Sequence, residues 1–160
     1  MPKVNKPLVG LVLGSVSDRE KMQTAVEVLD KLGIPNESVV LSAHRTPEEC
    51  AEYARTAAER GIKVLIGGAG WSAALPGLLA AHTLLPVIGV PLSGSPLGGK
   101  DALYSMIQMP PGVPVATVGI DTARNAAYLA ARIIALGDTK VGRALYEQRE
   151  QARHSIVEPR

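Results

Sequence analysis

What most constrains this chain is an alternation: short β-rich apolar runs recur along it, and stretches with helical spacing lie between them. Leu8 to Leu13, Ser38 to Leu41, Val64 to Ile66, Val87 to Val90 and Val115 to Val118 read as strands. Between the first two, Met22, Ala25, Val26, Leu29 and Leu32 return at helical spacing, as do Cys50, Ala54 and Ala57 before the third. Parallel strands need crossovers, which are right-handed and usually helical. Near-continuously apolar strands suit a sheet covered on both faces.

The expectation is a flavodoxin-like three-layer α/β/α fold with a five-stranded parallel sheet plus a C-terminal helix. At 160 residues the chain has the length of one domain, here divided into a core over residues 8–136 and a helical extension over 137–160. The extension is polar and charged, with only Val141, Leu145, Ile156 and Val157 as sizeable aliphatics, so it is expected to dock away from the core, on a neighbouring subunit. Ser17 to Glu20 and Thr46 to Glu49 both carry the hydroxyl-to-glutamate spacing of a capping box, and Pro47 falls at the first position of its helix. Open sheets of this kind bind ligands beyond the carboxyl ends of their strands, so the chemistry is sought there.

Composition removes several classes of function. A net charge of +2 without a Lys/Arg block gives no electrostatic footprint for nucleic acid, and 3% aromatics with no Phe gives no base-stacking platform. No apolar run approaches the roughly 20 residues that span a bilayer. The opening MPKVNKPLVG lacks the apolar stretch of a signal peptide, and one cysteine allows no internal disulfide, so the cytoplasm is the expected compartment.

Three strand ends carry suggestive residues. Gly14-Ser15-Val16-Ser17-Asp18 follows the first strand, where free N–H groups at a helix start favour an anion and two hydroxyls add donors; by itself this is also an ordinary turn and cap. Ser42-Ala43-His44-Arg45-Thr46-Pro47 follows the second and sets an imidazole that titrates near neutrality beside a planar guanidinium. In isolation such a pair is more often a solvated loop. Gly67-Gly68-Ala69-Gly70-Trp71-Ser72-Ala73-Ala74-Leu75-Pro76-Gly77 follows the third, with small residues that admit a flat ligand against the backbone; a tight turn with Trp71 as a packing or interface residue fits equally well. The Gly89–Ser95 and Gln108–Pro114 loops can wall a pocket, and Asp101 can support a helix start. Cys50 falls on an apolar stripe, His82 near a helix end and His154 in the charged tail, and no pair has metal-ligand spacing, so no metal is expected.

In order and spacing, G-S-x-S-D, S-A-H-R-T-P, G-A-G, L-P-G, G-V-P and Q-M-P-x-G-x-P-V resemble the N5-carboxyaminoimidazole ribonucleotide mutase family of de novo purine biosynthesis, over about Val9 to Leu136. The resemblance implies an octamer of flavodoxin-like subunits that needs no cofactor. It implies that Ser15, Ser17 and Asp18 bind the ribonucleotide, that Ser42 and Arg45 lie at its phosphate side, and that Ala43 is a further substrate-binding position. His44 would be the catalytic acid and base, the backbone around Ala69 and Gly70 would face the carboxylate or imidazole ring, and Leu75 would be a further substrate-binding position. Where many of these mutases read G-A-G-G-A-A-H-L-P-G, this chain has Trp71, Ser72 and Ala74, and Ser72 leans toward one-step carboxylases that use free carbon dioxide. Arg45, Leu75-Pro76-Gly77 and Gln108-Met109-Pro110 favour the mutase branch. A non-catalytic flavodoxin-like binding module is the remote alternative; the third strand ends in glycines rather than the Asp of a phosphoacceptor, and a flavin carrier would want more aromatics.

Overall fold

The computed structural model describes residues 6–156. Its elements run β1 (Val9–Leu13), a 3₁₀ turn (Val16–Asp18), α1 (Arg19–Lys31), β2 (Asn36–Val40), α2 (Pro47–Arg60), β3 (Val64–Ala69), α3 (Leu75–Ala81), β4 (Val87–Pro91), α4 (Lys100–Ile107), β5 (Ala116–Thr117), α5 (Ala123–Ala135) and α6 (Thr139–Ile156). The five strands form one parallel sheet in the order β2-β1-β3-β4-β5. The flavodoxin-like expectation holds.

Side-chain alternation along the strands builds two cores. Val9, Leu11 and Leu13 of β1 join Met22, Ala25 and Leu29 of α1 and the alanine face of α5 on one side of the sheet. Val12 and Leu65 join Cys50, Ala54 and Ala57 of α2, Leu75 and Leu79 of α3, and Met106 of α4 on the other. Cys50 is fully buried on the apolar stripe where its spacing places it, and burial raises its thiol pKa. His82 is the C-cap of α3, and His154 is exposed on α6.

β3 extends through Gly67, Gly68 and Ala69, beyond the Ile66 at which the apolar run stops, because β1 and β4 flank it and hold its backbone on both sides. β5, paired only with β4, shrinks to Ala116–Thr117. The two capping boxes do not form. Ser15, not Ser17, caps the 3₁₀ turn that precedes α1, and Asp18 stands at the α1 cap position without a capping bond. Thr46 does precede Pro47 at the start of α2, but its hydroxyl serves the preceding loop.

The extension departs from expectation in part. α6 packs against α5, and Val141, 6% exposed, enters the main core with Ala144 and Leu145 against it. Its first turns therefore have an intramolecular seat. Val157 lies outside the described residues, as do residues 1–5.

Candidate active site

A cleft of about 470 Å³ opens at the carboxyl ends of β1, β2, β3 and β4, over the point where the chain reverses direction across the sheet. Ser15, Ser17, Asp18, Ser42, Ala43, His44, Arg45, Ala69, Gly70 and Leu75 all line it. The sheet thus brings these residues together from three separate strand ends. Gly14, Ser72, Ala73, Ala74, Trp71 and Gly94 complete the wall.

The loop after β1 is pinned to β3, since Gly14 N–H donates to the Gly68 carbonyl at 2.9 Å. A Cβ at Gly14 would stand 3.3 Å from the Ala69 methyl and 3.5 Å from Asp18 Oδ2, so glycine lets the loop pass close to β3. Ser15 is extended, and its Oγ accepts from Ser17 N–H at 3.3 Å and from the Ser17 hydroxyl at 3.0 Å. Asp18 is half-buried; burial raises its pKa, opposed by a hydrogen bond from the Ser15 backbone and by the charge of Lys21. A ligand with hydroxyl groups can supply the donors that this carboxylate lacks.

After β2 the chain closes a tight turn. Ser42 N–H donates to Thr46 Oγ1 at 2.9 Å, and the Thr46 hydroxyl and N–H both return to the Ser42 carbonyl, at 3.2 and 2.8 Å. His44 and Arg45 stand exposed on this turn, and Arg45 Nε donates to Ser42 Oγ at 3.3 Å. Thr46 thereby gives up its capping role to hold the imidazole and guanidinium toward the cleft. A free anion placed there would meet a cation and a hydroxyl on one short rigid segment.

After β3, Ala69 is anchored by Leu92 N–H donating to its carbonyl at 2.9 Å. Gly70 passes so near β4 that a Cβ would lie 3.1 Å from the Leu92 carbonyl. Trp71 then takes a left-handed φ of 55°, with Ala73 N–H donating to its carbonyl at 2.9 Å and Ala74 N–H to that of Ser72 at 2.7 Å. These turns deliver Leu75 and Pro76 to the start of α3.

One network was not foreseen from the sequence. Lys21 Nζ reaches Ser93 Oγ at 2.7 Å and both carboxylate oxygens of Asp121 at 2.9 Å, and Ser93 N–H donates to Asp121 Oδ1 at 2.9 Å. It ties α1 to the loops after β4 and β5, one residue from Gly94 in the cleft wall. Burial works against the Asp121 carboxylate, but the hydrogen bonds from Ser93, together with Lys21, outweigh it and lower the pKa. Asp101 does not cap α4, whose N-cap is Gly99; it sits in the first turn with a buried Oδ1 that finds no partner. Of the two Pro-rich loops only the one after β4 reaches the cleft, through Gly94. Among the described residues no three His, Cys, Asp or Glu side chains cluster, and no helix is long and apolar enough to cross a membrane.

Comparison with known proteins gives a consistent result. Residues 8–155 match the AIR carboxylase family. An N5-carboxyaminoimidazole ribonucleotide mutase of Aquifex aeolicus is 60% identical over 131 residues, covering 82% of this chain and 78% of that one. A phosphoribosylaminoimidazole carboxylase of Schizosaccharomyces pombe is 55% identical over 132 residues, covering 82% of this chain but 24% of the larger protein. The crystal structure of Treponema denticola PurE superposes with a TM-score of 0.84 at 31% identity, covering 94% of each chain.

Proposed function

The chain belongs to the AIR carboxylase family, and on that premise we propose that it is an isomerase of de novo purine biosynthesis that converts N5-carboxyaminoimidazole ribonucleotide to 4-carboxy-5-aminoimidazole ribonucleotide. The observation that carries this reading is the cleft itself. It sets an imidazole and a guanidinium on one turn, opposite the Ser15 and Asp18 loop and beside the close-approach backbone of Ala69 and Gly70.

In this reading Arg45 and Ser42 hold the phosphate through charge-assisted hydrogen bonds, and Ser15, Ser17 and Asp18 hold the ribose side. The carboxylate and ring lie toward Ala43, Ala69, Gly70 and Leu75. Protonated His44 gives its proton to the exocyclic nitrogen as the bond from that nitrogen to the carboxyl carbon breaks, and the bonding electron pair stays on nitrogen. Carbon dioxide is held beside the aminoimidazole ribonucleotide. Ring carbon C4 then attacks it, the new carbon–carbon bond forms, and the C4 proton passes to His44, which ends as it began. The sum is an isomerisation that consumes no ATP and needs neither metal nor organic cofactor.

A one-step carboxylase is the second reading, favoured by Ser72 and by the likeness to the fungal carboxylase. Presenting each substrate to the purified protein separates the two. The mutase turns over N5-carboxyaminoimidazole ribonucleotide far faster than aminoimidazole ribonucleotide with bicarbonate, and the reverse ranking sinks the reading. His44→Asn should fold and bind product yet lose turnover by at least about a hundredfold, the lower range of general acid–base contributions; near-normal turnover removes His44 from the role.

The single catalytic domain is taken to work in the cytoplasm as a closed homo-oligomer, an octamer by family likeness. By composition the small-residue and aliphatic stretch from Ser72 to Val90 is a patch for subunits to bury, but Leu75, Leu79 and Val87 to Val90 are interior. Leu84, Leu97 and Leu136 support it better, exposed at 105%, 63% and 90%. A monomer by light scattering at micromolar concentration would rule it out.

A further inference from the structure

We propose that Trp71 is a substrate-contacting residue whose indole covers the aminoimidazole ring in the cleft, an assignment that rests on the ribonucleotide reading above. Trp71 is the sole tryptophan of the sequence, and it lines the cleft. It is also one of two non-glycine residues with positive φ among those described, at 55°. A bulky side chain in that region of backbone space is held there by its surroundings, and such strain concentrates at ligand-binding sites. The surroundings are on view: Gly70 is fixed against Leu92, and the Trp71 carbonyl is taken by Ala73 N–H.

The side chain is 62% exposed, so the strain is not repaid by burial in the core. Its Nε1 lies beside Gly94, 3.9 Å from where a Cβ there would be, so the indole spans from the third strand loop to the fourth. The rest of the wall consists of hydroxyls, a carboxylate, a guanidinium, an imidazole and small aliphatic residues. Trp71 alone offers the broad aromatic face on which a planar heterocycle stacks. A ligand ring set against it buries the indole and converts a strained, solvated residue into a packed one.

The sole tryptophan makes the test direct. Full-length protein is titrated with 4-carboxy-5-aminoimidazole ribonucleotide while indole fluorescence is followed, with ribose 5-phosphate as a probe that lacks the ring. The expected result is saturable quenching by the ribonucleotide and none by ribose 5-phosphate at concentrations that compete for the site. Trp71→Gly should weaken product binding about tenfold, within the range of one base stack. Trp71→Phe should stay within about threefold of wild type, and thermal unfolding should show both variants folded. Unchanged fluorescence at saturating product overturns the assignment, as does wild-type affinity in Trp71→Gly. So does a change in subunit number on Trp71→Gly with affinity intact, which would make Trp71 an interface residue. Failure of the reaction reading registers separately, as lack of turnover by the wild type, because quenching by product reports binding alone.

Discussion

Replacing Gly68 with alanine probes how closely α1 is seated on the strand that carries the site. A Cβ at Gly68 would lie 2.9 Å from both Cγ and Cε of Met22 and nearer still to its sulfur, and Met22 is 1% exposed. The methionine must shift inside a packed core. Its thioether is adaptable, yet overpacking of this kind costs about 1–3 kcal/mol. Loss of glycine freedom from the unfolded chain returns roughly 0.5–1 kcal/mol, leaving a net loss between roughly 0 and 2.5 kcal/mol, centred on about 1 kcal/mol. Met22→Ala alone should cost about 2–5 kcal/mol as a cavity substitution. In the double variant the new methyl projects into the vacated space, so the combined loss should fall short of the sum by roughly 1–2 kcal/mol, in the range seen for contacting residues. Urea unfolding of the four proteins, compared at equal slope, measures this. The Gly68 carbonyl also accepts from Gly14 N–H, so Gly68→Ala should weaken ribonucleotide binding as well. Additive losses in the double variant, or a Gly68→Ala that is clearly stabilising, would refute the close seating.

Other expectations follow from the charges around the cleft. Because burial raises the Asp18 pKa, the folded state holds its proton more tightly than the unfolded chain, and Asp18 lowers stability as pH rises from 3.8 through the folded value. Asp18→Asn should therefore raise the melting temperature at neutral pH while weakening ribonucleotide binding, with the stability gain vanishing below that window; a gain unchanged at low pH would contradict the cause. Asp121 has the opposite sign, since its lowered pKa gives stability that is present above 3.8 and lost as pH falls through the folded value. Asp121→Asn keeps a residue that tolerates the φ of 56° and should cost no more than about 1 kcal/mol at pH 7, because the pair with Lys21 is 37% and 35% exposed. Denaturation at pH 7 and pH 3 checks it. Arg45→Ala should raise KM at least about tenfold with kcat little changed, as expected when a contact acts in ground and transition states alike; a pure kcat defect would remove the phosphate role.

The fold was legible because β1, β3 and β4 carry short apolar runs and the helices between them carry apolar stripes, the pattern that a doubly covered parallel sheet demands; β2, which begins at Asn36 rather than Ser38, and the two-residue β5 are edge strands and mark themselves less. The β3 boundary was not, since Gly67 and Gly68 have low strand propensity and are recruited only by pairing on both sides. The capping boxes misled for a local reason: the Ser17 hydroxyl donates to Ser15 Oγ and the Thr46 hydroxyl bonds Ser42, so both serve the loops that shape the cleft. The cleft residues could be picked out because they sit at successive strand ends, which the topology gathers. Neither the Trp71 backbone nor the bridge from Lys21 to Asp121 leaves such a mark, the latter joining residues 100 positions apart. The seat of α6 rests on Val141 with Ala144 and Leu145 beside it, few apolar residues in a polar segment, which periodicity alone does not reveal.

The central claim, that carbon dioxide passes from nitrogen to carbon within one site, is tested by turnover of unlabelled N5-carboxyaminoimidazole ribonucleotide in labelled bicarbonate. A mutase retains its carbon dioxide between the two half-reactions, so the product formed at early times should carry little label. Product label that approaches that of the bicarbonate pool from the first turnovers would contradict the account and identify the chain as a carboxylase drawing on carbon dioxide from solution.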